Sequence, residues 1–171
     1  MVGLCAPEGP PRLYTGAYLG ALAGAGVASD AGEVGWSGTV GVRASSVLHL
    51  ADVEARYQVD GVATDRAHQG MLAMHLHPLF LFLLANNTLG ATLGSLAVEV
   101  AAGPAWSERN GSGLLWSWGG SFEVPLTPPD AGQSLWLGSS VTFSHDLAYS
   151  ALAGEVTNRL IFRLEYRHNG L

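Results

Sequence analysis

The stretch "ADVEARYQVDG" (51–61) decides the fold, because its residues alternate without exception between two chemical classes. Positions of one parity are small, apolar or aromatic, namely Ala51, Val53, Ala55, Tyr57, Val59 and Gly61. Positions of the other parity are all charged or amide-bearing, namely Asp52, Glu54, Arg56, Gln58 and Asp60. A period of two is typical of a β-strand whose two sides meet different surroundings. Which side points into the protein depends on the rest of the chain.

The same alternation recurs along the chain, so that eight strands are predicted. They cover residues 13–27, 36–48, 51–61, 70–77, 95–103, 113–126, 134–146 and 155–167. An even number of strands joined in series favours an up-and-down antiparallel arrangement. Most of these strands have about 9 to 14 residues, whereas strands of soluble sheets have ~5 to 6 and ~9 to 11 tilted residues cross a bilayer. The lengths indicate an all-β, eight-stranded antiparallel barrel, either in a membrane or large and soluble.

The composition limits the class of protein further. The 171 residues suffice for one domain, and only 13% of them are charged, against ~25% in typical soluble proteins. The net charge is −6, without a basic stripe, which argues against a nucleic-acid partner. We interpret residues 1–11 as a flexible N-terminal leader and 12–168 as a single β-barrel domain, with a signal peptide already removed. A single cysteine, Cys5, excludes an internal disulfide. Its role is compatible with either an incidental thiol or a lipidation site.

The charged parity contains both signs in similar number, which favours an enclosed position. Opposite charges pair inside a narrow barrel, where an unpaired charge costs several kcal/mol. A water-facing set needs no such balance. We therefore predict an interior ion-pair network formed by Arg43, Asp52, Glu54, Arg56, Glu99, Glu123, Arg159, Arg163 and Glu165.

The apolar parity is then expected to face lipid, as in outer-membrane barrels. Its aromatic residues lie near strand ends, where amphipathic rings favour the headgroup level, and the many small residues suit a tightly closed barrel. In the first strand, Tyr14, Tyr18 and Leu22 are assigned to this side. The lipid-facing residues predicted in the other strands are Val40, Val42, Val53, Tyr57, Leu96, Val98, Trp116, Trp118, Phe122, Leu137, Val141, Leu160, Phe162, Leu164 and Tyr166.

Two segments carry a resemblance to a known family. "VGVRASSVLHLADVEARYQVDG" (40–61) resembles the hairpin of the second and third strands of the small outer-membrane barrels of the OmpA and OmpX type, and "NRLIFRLEYR" (158–167) resembles their last strand. The resemblance implies an eight-stranded transmembrane β-barrel in the outer membrane of a Gram-negative bacterium. It also implies contacts with outer-membrane lipids and lipopolysaccharide, and insertion by the barrel-assembly machinery. The chain departs from the family in having five residues after Tyr166 and an apolar connection at 78–94.

With both chain ends in the periplasm, the connections divide into two groups. Loops near 28–35, 61–69, 104–112 and 146–155 are predicted outside, and turns near 48–50, 78–94 and 127–133 inside. The apolar stretch "PLFLFLLANNTLGATLG" (78–94) is compatible with two structures. One is a short helix that starts at Pro78 and lies along the inner membrane surface, and the other is an extension of strands four and five.

The interior of eight strands has room only for side chains, so we predict neither a solute channel nor an enzyme. The expected role is structural, or recognition through the outer loops, without catalytic, cofactor or metal residues. His75 and His77 share one side of a strand and are interpreted as interior hydrogen-bonding residues. Ser144 and His145 are neighbours in a strand and cannot meet as nucleophile and base.

Two alternatives from other classes stay open. A soluble lipocalin-like barrel would place the apolar parity inward, around a hydrophobic ligand. A lipid-modifying enzyme of the outer membrane would carry catalytic groups such as His145 and Asp146 near the outer rim.

Overall fold

The computed structural model describes residues 17–30, 32–45, 50–62, 65–85, 87–107, 111–127, 132–146 and 157–169. In this part of the chain eight strands close into one barrel, and each strand is antiparallel to both neighbours in sequence order. The strands are β1 (Tyr18–Asp30), β2 (Glu33–Ser45), β3 (Ala51–Val62), β4 (Asp65–Leu76), β5 (Ala97–Ser107), β6 (Gly111–Pro125), β7 (Gln133–Asp146) and β8 (Thr157–Asn169). The predicted all-β, eight-stranded up-and-down barrel is confirmed. The predicted leader 1–11, Cys5 and Tyr14 lie outside the described residues.

Pairing of β1 with β8 closes the barrel and sets the start of β1 beside the end of β8. Tyr18 is opposite both Ser45 of β2 and Asn169 of β8. We call this the terminal end of the barrel, and it also carries the connections 46–50, 77–96 and 126–132. The opposite end, which we call the loop end, carries the connections after β1, β3, β5 and β7.

Six of the eight strands, β1 to β6, reach further toward the loop end than the pattern predicted. β4 begins at Asp65, so most of the predicted loop 61–69 is strand. β5 continues to Ser107, which shortens the predicted loop 104–112. In β4 the reason is that polar residues occupy both sides of the strand close to the rim, which hides the alternation. Gln69, for example, points inward and donates to Asp60 Oδ2 at 2.8 Å.

The apolar connection between β4 and β5 is helical, as the first of the two predicted structures proposed, and does not extend the strands. A 3-10 helix covers Phe80–Ala85, and helix α1 covers Thr88–Gly94. α1 begins after Asn87, whose side-chain oxygen accepts from Gly90 N at 2.7 Å and so caps the first turn. Pro78 lies in a turn ahead of both helices and does not start one. No helix in the described ranges has the length and apolar character needed to span a bilayer.

β1 differs from the prediction in the direction of its side chains. Tyr18 and Leu22 were assigned to the lipid-facing side, but both point inward and are 1% and 4% exposed. Leu19 and Val27 point outward instead, at 50% and 49% exposed. The assignment was wrong because β1 has no charged residue before Asp30, so that nothing in its own sequence marks the interior side.

Small residues on the inward side of β1 let the long side chains of β8 cross the barrel. A Cβ atom on Gly24 would lie 2.7 Å from the Phe162 carbonyl oxygen and 2.9 Å from Arg163 Cβ. Both distances are shorter than those of ordinary Cβ contacts, so a side chain at position 24 would not fit without a shift of β8. Gly24 therefore keeps the pairing between β1 and β8 close.

The substitution Gly24→Val is expected to destabilise the barrel by ~1–3 kcal/mol or more, because the extra methyl groups overpack the junction of β1 and β8. The change can be measured as a lower urea midpoint for unfolding in detergent micelles. Ala23→Val is the matched control, since Ala23 is exposed on the outer side of the same strand and should leave the midpoint nearly unchanged. An equal midpoint for both variants would contradict the close contact.

Candidate functional site

The charged side of β3 faces the barrel interior. Asp52, Glu54, Arg56, Gln58 and Asp60 are all buried, and the most exposed of them, Arg56, is 8% exposed. The alternate residues Val53 and Tyr57 point outward, at 51% and 41% exposed. The charged side of β3 is therefore the interior side, with its carboxylates and its guanidinium inside the barrel.

Interior charges of both signs are nearly balanced in the part of the chain that the structure describes. All nine residues predicted for the network lie inside, and none is more than 8% exposed. The buried charged residues are Arg43, Arg56, Arg159, Arg163 and Arg167 together with Asp52, Glu54, Asp60, Glu99, Glu123 and Glu165. Such a set can be buried only if nearly every charge has a partner.

Glu123 of β6 is the centre of the network. Its Oε1 accepts from Arg43 Nη1 of β2 at 2.6 Å and from Arg163 Nη2 of β8 at 2.9 Å. Its Oε2 pairs with Arg167, also of β8. One carboxylate therefore ties three strands together across the lumen.

A second group of contacts links Glu123 to the β3 side of the barrel. Arg43 also donates from Nη2 to Glu54 Oε2 at 2.7 Å. Arg56 donates to Glu99 Oε1 at 2.5 Å, and its other amino group lies 3.3 Å from Glu54 Oε1. His75 Nε2 is 3.1 Å from Glu54 Oε2. The histidine is thus part of the same network, as an interior hydrogen-bonding residue.

Asp60 binds the interior polar side chains that lie toward the loop end. Its Oδ2 accepts from Arg159 at 2.7 Å and from Gln69 at 2.8 Å, while Ser37 donates to Oδ1 at 2.6 Å. Arg159 also donates to Ser144. The carboxylate therefore anchors side chains from β2, β4 and β8.

Asp52 has the corresponding role toward the terminal end, where it binds side chains from other strands. Its Oδ2 accepts from the Tyr18 hydroxyl at 2.8 Å and lies 3.0 Å from His77 Nε2. The Arg167 guanidinium stacks over the Tyr18 ring at 4.3 Å and over the Trp136 ring at 4.2 Å, an arrangement favoured by the ring quadrupole. Aromatic and charged side chains together fill this end of the lumen.

A small cavity lies between side chains in the middle of the lumen. This cavity of about 10 Å³ is lined by residues that include Glu54, Arg56, Gln58 and Arg163. That volume accommodates about one water molecule. It is too small for a hydrophobic ligand of the kind that a lipocalin-like barrel would bind, and its lining is polar.

The fifteen residues predicted to face lipid all lie on the outer side. Fourteen of them are 37% to 56% exposed. Trp116 is half-buried because its ring stacks on the His145 ring, with centroids 5.0 Å apart. Outward apolar side chains around a charged, ion-paired interior are the reverse of a soluble barrel and the arrangement that a bilayer requires.

The fold is that of a small transmembrane β-barrel. The predicted resemblance to barrels of the OmpA and OmpX type is thus confirmed for the fold.

No family model matches the chain, and no curated protein matches it. Among solved structures, Neisserial surface protein A is 10% identical, with a TM-score of 0.49 over 90% of this chain and 97% of that chain. The N-terminal β-barrel domain of Pseudomonas aeruginosa OprF is 11% identical, with a TM-score of 0.47 over 85% and 96%. A de novo designed transmembrane β-barrel is 11% identical, with a TM-score of 0.43 over 89% and 95%.

Two aromatic clusters with histidine lie on the outer side of the barrel, toward the loop end. In the first, the Tyr57 hydroxyl is 2.5 Å from His68 Nδ1, and the His68 ring stacks on Trp106 at 5.8 Å. In the second, Trp118 donates to His145 Nε2 at 3.3 Å, beside the stacked Trp116 ring. Rings with a polar atom are favoured at the headgroup level of a membrane.

Ser144 and His145, two of the residues considered for catalysis, point to opposite sides of β7. Ser144 points inward, where it accepts from Arg159, and His145 points outward between tryptophans. The side chain of Asp146 lies outside the described residues. Within those residues, no group of three or more His, Cys, Asp or Glu side chains is arranged to hold a metal ion.

The sequence prediction missed part of the network. Arg167 and Asp60 have the same parity as the predicted residues of β8 and β3, so extending the period of two by one step would have found them. Tyr18 was missed because β1 was assigned the wrong side. Gln69 was missed because it was placed in a loop.

Proposed function

We propose that this chain is an integral outer-membrane protein of a Gram-negative bacterium, with a sealed barrel that serves as a rigid scaffold for its loop-end connections. The supporting observation is the polarity of the barrel, with ion-paired carboxylates and guanidinium groups inside and apolar side chains outside. Such a barrel is stable only where hydrocarbon covers the outer side. The role is structural, or recognition at the cell surface, and is not catalytic.

A sealed interior supports a scaffold role over transport. Arg43 and Glu123 meet across the lumen from strands β2 and β6, and the small cavity lined by Glu54 and Arg163 holds about one water molecule. A solute would have to break several buried ion pairs to pass. We therefore propose that the barrel conducts neither solutes nor a sustained ionic current.

The partners proposed from the resemblance are outer-membrane lipids, lipopolysaccharide and the barrel-assembly machinery. Support for lipid contact comes from the outer aromatic clusters, since Tyr57, Trp106 and Trp118 are exposed at 41%, 42% and 45%. These rings fit the headgroup level of the outer leaflet.

The proposal is tested with purified protein reconstituted in phospholipid vesicles. We expect the protein to need detergent in solution and to change its gel mobility on heating. In a planar bilayer, the protein should give no steady conductance. A monodisperse β protein without detergent would overturn the membrane assignment, and a steady conductance would overturn the sealed scaffold.

The sidedness is tested by epitope insertion in cells. An epitope placed between Asp146 and Thr157, at the loop end, should be reached by antibody on intact cells. The matched control is an epitope between Ser45 and Leu50, at the terminal end, which should react only after permeabilisation. The opposite pattern would reverse the proposed orientation.

A further inference from the structure

The helical connection at residues 77–96, which we call the terminal cap, has two different sides. Its inner side packs on the barrel, where Leu83 and Ala91 are 4% and 0% exposed and cluster with Trp136. Ser95 fastens its end, because the Ser95 hydroxyl donates to the Glu123 carbonyl oxygen at 2.8 Å and accepts from Glu123 N at 2.8 Å. The inner side therefore lies against the apolar Trp136 ring and is fixed to strand β6.

The outer side of the terminal cap is mostly apolar, with Asn87 and Thr88 as exposed polar residues, and its apolar side chains have no partner among the described residues. Its exposed side chains are Leu79 at 37%, Leu81 at 62%, Phe82 at 46%, Leu84 at 56% and Leu89 at 69%. The sequence from Pro78 to Val98 contains no charged residue. A contiguous exposed apolar surface of this kind marks a contact with a membrane or a protein.

Continuity with the outer side of the barrel identifies lipid as the occupant. The strands that the terminal cap joins end in outward residues of the same character, since Leu76 of β4 and Val98 of β5 are 43% and 50% exposed. Leu96, between α1 and β5, continues the surface at 37%. Exposed apolar side chains therefore continue from the ends of β4 and β5 onto the terminal cap.

The loop end has the opposite character, which makes the extension specific to one end of the barrel. Glu33 and Arg66 are exposed there, and the neighbouring sequence "SERNGSG" (107–113) is polar. A rim that meets water carries such residues. The terminal cap carries no charged residue between Pro78 and Val98, and its exposed polar side chains include only Asn87 and Thr88 among the described residues.

We propose that the terminal cap is a membrane-contact segment whose outer side, at Leu81, Phe82, Leu84 and Leu89, inserts into the acyl-chain boundary of the adjacent leaflet while its inner side seals the barrel. The inference rests on the proposed membrane location. It adds that the leaflet itself holds the seal in place, in the manner of an interfacial amphipathic segment.

The test uses full-length protein in phosphatidylcholine vesicles, with Cys5→Ser removing the single native thiol. Cysteine is introduced by Leu84→Cys or by Leu89→Cys and labelled with an environment-sensitive fluorophore. The emission is compared in vesicles with and without nitroxide groups on the lipid acyl chains. We expect at least about two-fold quenching at both positions, as for groups that reach the acyl-chain boundary.

Two matched positions make the outcome decisive. Leu164→Cys labels the outer side of strand β8 and should be quenched, whereas Ser112→Cys labels the exposed loop end and should not. Quenching at Leu164 without quenching at Leu84 and Leu89 would overturn the proposal for the terminal cap and leave the proposed function standing. Absence of quenching at Leu164 as well would overturn the proposed function.

A second copy of the chain is the competing occupant, and dilution separates it from lipid. Lipid contact predicts the same quenching at low and high protein density in the vesicles. A label at Leu84 that is protected only at high density, and is not quenched by the nitroxide lipids, would overturn the proposal in favour of self-association.

Discussion

The substitution Glu123→Gln is expected to be among the most damaging single changes in the barrel, with a loss of at least ~3–5 kcal/mol in the free energy of unfolding. The amide removes the charge that three buried arginines share, and among the described carboxylates it leaves Arg167 with Glu165 alone, at 3.0 Å. Because whole domains are stable by only ~5–15 kcal/mol, much of the variant should fail to fold. Urea titration in vesicles, followed by tryptophan fluorescence, measures the loss.

Two variants control for the loss of charge itself. Glu33→Gln removes a carboxylate at an exposed position in β2 and should change stability by less than ~0.5 kcal/mol. Combining Glu123→Gln with Arg167→Gln removes one of the cations that lost this partner and should recover part of the loss. An unfolding midpoint equal to that of the unmodified protein for Glu123→Gln would mean that water, and not Glu123, solvates the arginines.

The substitution Leu164→Arg is expected to cost ~2–4 kcal/mol, the penalty for a cation on the lipid-facing side near the bilayer midplane. Leu164 lies near the middle of β8 and is 46% exposed. On a water-facing surface the same change would be worth less than ~0.5 kcal/mol. The measurement is the same urea titration in vesicles.

The matched control is Val34→Arg, at the loop end of β2. Val34 is 71% exposed, and a cation at the membrane interface costs only ~0–1 kcal/mol. A loss for Leu164→Arg no larger than that for Val34→Arg would contradict hydrocarbon contact at the middle of β8.

The sides of most strands could be predicted because a period of two leaves no freedom once charges occupy one parity. In β3 and β8 the charged parity marks the interior without reference to any other strand. β1 has only small and apolar residues on both sides before Asp30, so its direction depends on its neighbours. The pairing register places Gly24 opposite Arg163. Since paired residues of neighbouring strands share a side, the inward direction of Arg163 sets the inward side of β1.

The central role of Glu123 could not be predicted from the sequence. Its partner Arg43 is 80 residues away in the chain, and Arg163 is 40 residues away. Alternation places all three inside, but only the stagger of the closed barrel sets them at one level. The structure of residues 78–94 could not be predicted either, because an apolar run is compatible with both helix and strand.

The pairing of β1 with β8 joins the first strand to the last through twelve opposed residue pairs, from Tyr18 with Asn169 to Ser29 with Asn158. Until β8 has left the ribosome, β1 therefore keeps one row of amides and carbonyls without partners. Hydrocarbon does not tolerate such an open edge. The chain consequently cannot thread into the bilayer one strand at a time during synthesis. We therefore expect the pairing of β1 with β8 to form only after the whole chain has been synthesised.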